Sequence, residues 1–237
     1  VAKDLFFQTH RVDISNVDQV KRNSSWAEMI LRSYSRNICT IANMGTIYAD
    51  VKANTGISEP TFYDYIEGYE RLFMIEDVEA WNPAIRSKTT IRAAKKKNLI
   101  DPSIAVAAMG LSPDYFNEDF KTLGFLFESL CIRDLKIYSS AHYGRVSYYR
   151  DRYGLEADAV LHLDDGRYAL IEIKLGSHEI EDGAKHLLEI ERLIQKHNNT
   201  EKHIPLRMPD LKIILTGTEY GYRREDGVFV IPIGCLK

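Results

Sequence analysis

Several things that would settle the class of this 237-residue chain at a glance are missing from it. No apolar run approaches the roughly 20 residues that a bilayer-spanning helix needs, so no membrane partner is expected. A signal-peptide pattern is absent from the start, which leaves secretion without support. Cysteine is scarce: Cys39, Cys131 and Cys235 are far apart, odd in number and lack C-x-x-C spacing. That pattern argues against a disulfide framework or a zinc site and leads us to expect reduced thiols in the cytoplasm. The phosphate-cradling G-x-x-x-x-G-K-[ST] loop is missing too, so this chain by itself cannot be a P-loop ATPase. Nor does one sign of charge dominate. With 31 Lys and Arg against 34 Asp and Glu, the net charge is −3. Affinity for nucleic acid would have to come from a local patch.

What remains is a globular composition, 45% hydrophobic and 27% charged, long enough for one large domain or two smaller ones. The chain opens on Val1 rather than methionine, and a fragment of a longer protein is the expectation. Ser25 to Glu28 forms a capping-box pattern ahead of "MILRSYSRNICTIAN", which predicts a helix over 24–43. A second helix carries Ile47 and Val51 one turn apart. Gly56 then supplies a tight turn, and a third helix restarts at Ser58 with Pro60 in its first turn. Helix, glycine turn, helix is the helix-turn-helix pattern. β-rich segments around Asn82-Pro83 follow, which makes residues 24–105 a winged-helix candidate, while Asp101-Pro102 reads as an element end and turn cap.

Gly110, Ser112 and Pro113 mark a boundary. Beyond it the pattern predicts a helix from 118, strands near 145–150, 155–163 and 167–175, a helix over 178–197, and two further strands in "LKIILTG" and "VFVIPI". This is an α/β order. The helix over 178–197 puts Ile180, Ala184, Leu187, Leu188 and Ile194 on one side. His178, Glu179, Glu181, His186 and Glu189 then read as its solvated side, because no H-E-x-x-H is present.

The hairpin of residues 155–175 carries Glu156, Asp158, Glu172 and Lys174 within apolar strands. Buried charges are costly unless paired. A three-residue loop, Asp164-Asp165-Gly166, puts glycine at the left-handed position of a type I turn with bulge. That register sets Asp158 opposite Glu172 and Glu156 opposite Lys174, on one face. Two carboxylates facing each other destabilise a sheet, and a hard cation such as Mg²⁺ between them would remove the conflict. A cross-strand Glu156–Lys174 ion pair on a solvated face, with Asp158 merely exposed, is the other reading.

Asp158 followed by Glu172-Ile173-Lys174 on the next strand resembles the PD-(D/E)XK nuclease superfamily, with Ala157 where many members have proline. The segments "TGISEPTFYDYIEGYERLFMIEDVEAW", "GFLFESL", "YYRDRYGLEADAVL" and "YALIEIKLG" together resemble the C-terminal domain of uncharacterised function in prokaryotic AAA-superfamily ATPases. The resemblance implies a winged helix-turn-helix over 24–111, then a restriction-endonuclease-like α-β-β-β-α-β core over 112–237. Residues 1–23 would be a linker or the tail of a missing ATPase domain, through which alone ATP would enter. It further implies Mg²⁺ or Mn²⁺ on Asp158 and Glu172, a water-positioning role for Lys174 and a supporting one for Glu128. DNA is the implied substrate, and a non-catalytic docking module with a vestigial site is the alternative.

Between Ala80 and Ile100 the bases Arg86, Lys88, Arg92, Lys95, Lys96 and Lys97 occur without an acid, a stripe suited to phosphates or simply a solvated charge run. Arg150 and Arg152, interleaved with Tyr148, Tyr149 and Tyr153, are further candidates for nucleic-acid contact. The helix from Ser58 to Arg71 carries Glu59, Asp64, Glu67 and Glu70 against Arg71 alone, and is better suited to packing on protein than to reading bases.

Overall fold

The computed structural model describes residues 1–84, 93–200 and 205–236. The chain partitions into two units, residues 1–78 with 94–130 and residues 79–93 with 131–237.

The described part of the first unit is helical. It contains α1 (Ala2–Gln8), α2 (Ser24–Arg36), α3 (Met44–Thr55), α4 (Glu59–Arg71) and α5 (Pro102–Met109). Residues expected to be a linker or tail instead bury Phe6, His10 and Ile14 in this unit, and α1 packs against α5. The N-terminal cap of α2 is Asn23, whose side chain accepts the backbone N–H groups of Ser25 and Trp26. The Ser25–Glu28 box is therefore not the start signal, and the helix ends at Arg36 rather than 43. Gly56 closes α3 at φ +67°, and Ser58 caps α4 with Pro60 in its first turn. These are the expected positions.

Core side chains from α2 (Ile30, Leu31, Tyr34), α3 (Ile47, Val51) and α4 (Phe62, Tyr69) are nearly inaccessible to solvent. Gly68 matters here, because a Cβ there would stand 2.9 Å from Ile14 Cδ1. After α4 the chain makes isolated antiparallel bridges, Ile75 with Leu99 and Val78 with Lys96. Residues 101–110, read from sequence as an element end, form α5, with the Asp101 side chain accepting the Ser103 N–H. Proline at its first turn costs no hydrogen bond there.

The second unit is built on a mixed six-stranded sheet. Its strands are β1 (Arg145–Arg150), β2 (Glu156–His162), β3 (Tyr168–Lys174), β4 (Leu211–Thr216), β5 (Tyr222–Arg223) and β6 (Phe229–Pro232). They lie in the order β1-β2-β3-β4-β6-β5. β1, β2 and β3 run antiparallel in sequence, and β4 joins β3 in parallel. The helix expected from 118 forms as α6 (Phe120–Ser139), and its residues up to Leu130 count with the first unit. Helix α7 (Ile180–Thr200) crosses between β3 and β4. It buries Ile180, Ala184, Leu187, Ile190 and Ile194 against Val160, Leu170, Ile214 and Val230 of the sheet. That stripe has helical periodicity, and the strand residues beneath it recur every second position.

Candidate functional site

The hairpin between β2 and β3 fixes the site. Leu163 and Arg167 close a three-residue turn through Leu163 N–H to the Arg167 carbonyl at 2.9 Å, with Gly166 at φ +86°. Pairing then runs from His162–Tyr168 to Ala159–Ile171, the register expected from the turn. It stops one residue short of Asp158 and Glu172. There the Asp158 Oδ2 atom takes the place of a ladder carbonyl and accepts the Ile173 N–H at 2.8 Å. The cause lies on the other side of β2. Between the pairs Ser147–Val160 and Tyr149–Ala157, two residues of β2 oppose Tyr148 alone. Such a bulge interrupts pairing and re-aims a side chain.

The result is a buried charge cluster. The Lys174 Nζ atom lies 2.6 Å from Glu172 Oε2 and 3.4 Å from Asp158 Oδ2. Glu172 is 1% exposed and Asp158 7%. Burial, and after it the Asp158 carboxylate, pushes the Glu172 carboxyl up to about 8, against the pull of Lys174. For Lys174 burial works to lower the ammonium, but the Asp158 and Glu172 carboxylates outweigh it and hold it above the usual lysine range. The anticipated Glu156–Lys174 pair does not form. Glu156 faces Arg150 across β1, 3.6 Å from its guanidinium, because the bulge separates it from Asp158.

The second oxygen of Glu172, Oε1, is buried without a hydrogen-bond partner among the described residues. His186 Nδ1 stands 3.6 Å from it. Periodicity had put His186 on the solvated side of α7, and its side chain is indeed half exposed. The missed signal is Gly183, three residues earlier. A Cβ there would stand 3.4 Å from both Glu172 Cβ and Lys174 Cε, so the helix backbone lies directly on the charged pair.

The other candidates have surroundings of their own. Glu128 lies in the first unit, where Lys96 Nζ meets its carboxylate at 2.6 Å. Lys97 meets Asp77 at 2.6 Å. Lys96 and Lys97 are 4% and 5% exposed, so neither belongs to a phosphate-binding stripe. Lys95 is exposed, while Arg86, Lys88 and Arg92 lie outside the described residues. Arg150 and Arg152 are exposed; Arg152 stacks its guanidinium over Tyr153, 4.7 Å from the ring centre. Tyr148 is buried and Tyr149 half buried, as strand packing requires. A cavity of about 780 Å³ beside the β2–β3 turn, lined by Leu135, Tyr143, Leu161 and Leu163, holds none of the charged trio.

Residues 123–236 match the family model of a domain of unknown function, DUF4143, and residues 2–115 match a second, DUF8612. Asp158, Glu172, Lys174 and His186 fall in the first-named match. No curated protein and no solved structure matches the chain. Among the described residues no helix is long and apolar enough to cross a membrane.

Two carboxylates, one of them with an orphaned oxygen, fit a hard divalent ion, which takes one or two protein carboxylates and completes its shell with water. They do not fit a zinc-type cage, and no group of three or more His, Cys, Asp or Glu able to hold a metal occurs among the described residues.

Proposed function

We propose that the second unit is a PD-(D/E)XK-type phosphodiester hydrolase domain acting on DNA, within the C-terminal part of an AAA-type ATPase whose P-loop domain lies outside this chain. The observation that carries this reading is the convergence of Asp158, Glu172 and Lys174 on one point of the sheet, with Glu172 Oε1 left without a partner. Asp158 and Glu172 would hold Mg²⁺ or Mn²⁺, which when bound lowers the pKa of water and neutralises charge on the phosphoryl group. The protein's own part is orientation. The Ile173 N–H fixes Asp158. Lys174 offsets part of the charge of the two acids and would be the donor that holds a water or a phosphate oxygen. The first unit, with two helices joined at Gly56 and an arm bridged at Ile75–Leu99 and Val78–Lys96, supports a winged-helix reading.

A second reading has its own observation. Glu172 is almost wholly covered, and Lys174 closes on it. That favours a docking module in which the same trio is a vestigial ion cluster. Calorimetric titration of Mg²⁺ and Mn²⁺, with and without duplex DNA, separates the two. Saturable binding lost in Asp158→Asn and Glu172→Gln, with plasmid nicking that follows it, supports hydrolysis. Absence of binding under both conditions overturns hydrolysis and leaves docking.

A further inference from the structure

We propose that His186 is a positioning residue of the Asp158–Glu172–Lys174 site, donating its Nδ1–H to Glu172 Oε1 and so fixing the plane of that carboxylate. The inference rests on the reading of this cluster as the functional site and adds to it a residue from a different element.

Glu172 has two oxygens and one close cation. Lys174 takes Oε2 at 2.6 Å, while Oε1 is buried with no hydrogen bond. A buried carboxylate oxygen without a donor is a costly exception in folded proteins. His186 Nδ1 stands 3.6 Å from that atom, within ion-pair reach but too long for a hydrogen bond. Its side chain is 48% exposed, which leaves the ring room to turn on its solvent side.

The placement follows from packing. Ala184 and Leu187, buried against the sheet, fix the rotation of α7. At Gly183 the helix backbone lies close over Glu172 and Lys174, since a Cβ built there would stand in van der Waals contact, 3.4 Å, with both. Three residues later on the same side of a helix comes residue 186. Once Glu172 is ionised its carboxylate has about four lone-pair sites, so Oε1 can then accept the ring N–H and keep a site directed at a cation. Held by an ammonium on one oxygen and an imidazole on the other, the group cannot rotate away when the site is filled.

Two measurements test this on the intact chain. The long-range ¹H–¹⁵N spectrum of the histidine rings, recorded without metal, should show the His186 Nδ1 resonance move in Glu172→Gln. An unchanged His186 ring overturns the inference whatever the metal does. In Mn²⁺ titration, His186→Ala should weaken binding about tenfold or more, the range found for residues that orient metal ligands. His186→Asn, which keeps an amide N–H near the Nδ1 position, should recover most of it. Equal Mn²⁺ affinity in wild type and His186→Ala also overturns the inference. Wild type that binds no Mn²⁺ sinks the metal reading of the site, while the ring spectrum still decides the contact.

Discussion

The protein buries lysine against carboxylate in both units, and the two clusters are built differently. In the first unit Lys96 has Glu128 and Lys97 has Asp77, each pair 2.6 Å apart. Asp77 also accepts from the Tyr34 hydroxyl and, at 3.0 Å, from the Asn98 N–H. Each of these lysines has a carboxylate at contact distance. In the second unit one ammonium serves two carboxylates and one oxygen has no donor. A balanced cluster stores its charge safely and serves the fold. An unbalanced one holds an unmet demand for a cation or a proton, and perturbed acids of this kind gather at functional sites.

The sharpest break of this comparison is Lys97→Met, which leaves Asp77 buried without its cation. Loss of one partner of a buried pair costs about 3–5 kcal/mol, and urea unfolding should register it with no change in Mn²⁺ affinity. The second concerns pH. The Glu172 carboxyl is raised to about 8 from 4.5, so between those values the folded state holds a proton that the unfolded state has released. Stability is therefore fully present below the unfolded value and falls as pH rises through the folded one. Between pH 5 and pH 8 wild type should lose at most on the order of 4 kcal/mol relative to Glu172→Gln, which lacks this slope. A parallel pH profile for the two proteins would put the unbalanced charge elsewhere.

Smaller effects sharpen the same contrast. Glu128→Gln should cost on the order of 2 kcal/mol, typical of a hydrogen bond to a charged group, and leave Mn²⁺ binding intact. Loss of metal binding in that variant would return Glu128 to the site. If DNA lies along the exposed face of β1, Arg150→Ala should lower the salt slope of DNA affinity by about 1, with stability almost unchanged. An unaltered slope would exclude Arg150 from the interface.

Much of the second unit was legible in the residues. The Asp164-Asp165-Gly166 turn fixed the hairpin register, because glycine there relieves a left-handed backbone. The periodicity of Ile180, Ala184, Leu187 and Ile194 placed α7 on the sheet. Less was legible where side chains replaced local signals. Asn23 took the cap expected of Ser25 because it lies two residues before the N–H it accepts. Lys96 and Lys97 look like phosphate binders in a basic run, yet their burial is decided by Glu128 and Asp77, 32 and 20 residues away.

The sequence by itself determined that Asp158, Glu172 and Lys174 would lie on paired strands, since strand alternation and turn length are local properties. Only the tertiary structure decided how their charges are shared. The bulge opposite Tyr148 sends Glu156 to Arg150 and frees Asp158 for the Ile173 N–H. The contact of α7 through Gly183 covers Glu172 and brings His186 towards its second oxygen. Alternation says which face a side chain shares. The depth at which it is buried depends on what packs over that face, and depth sets the energy of a charge.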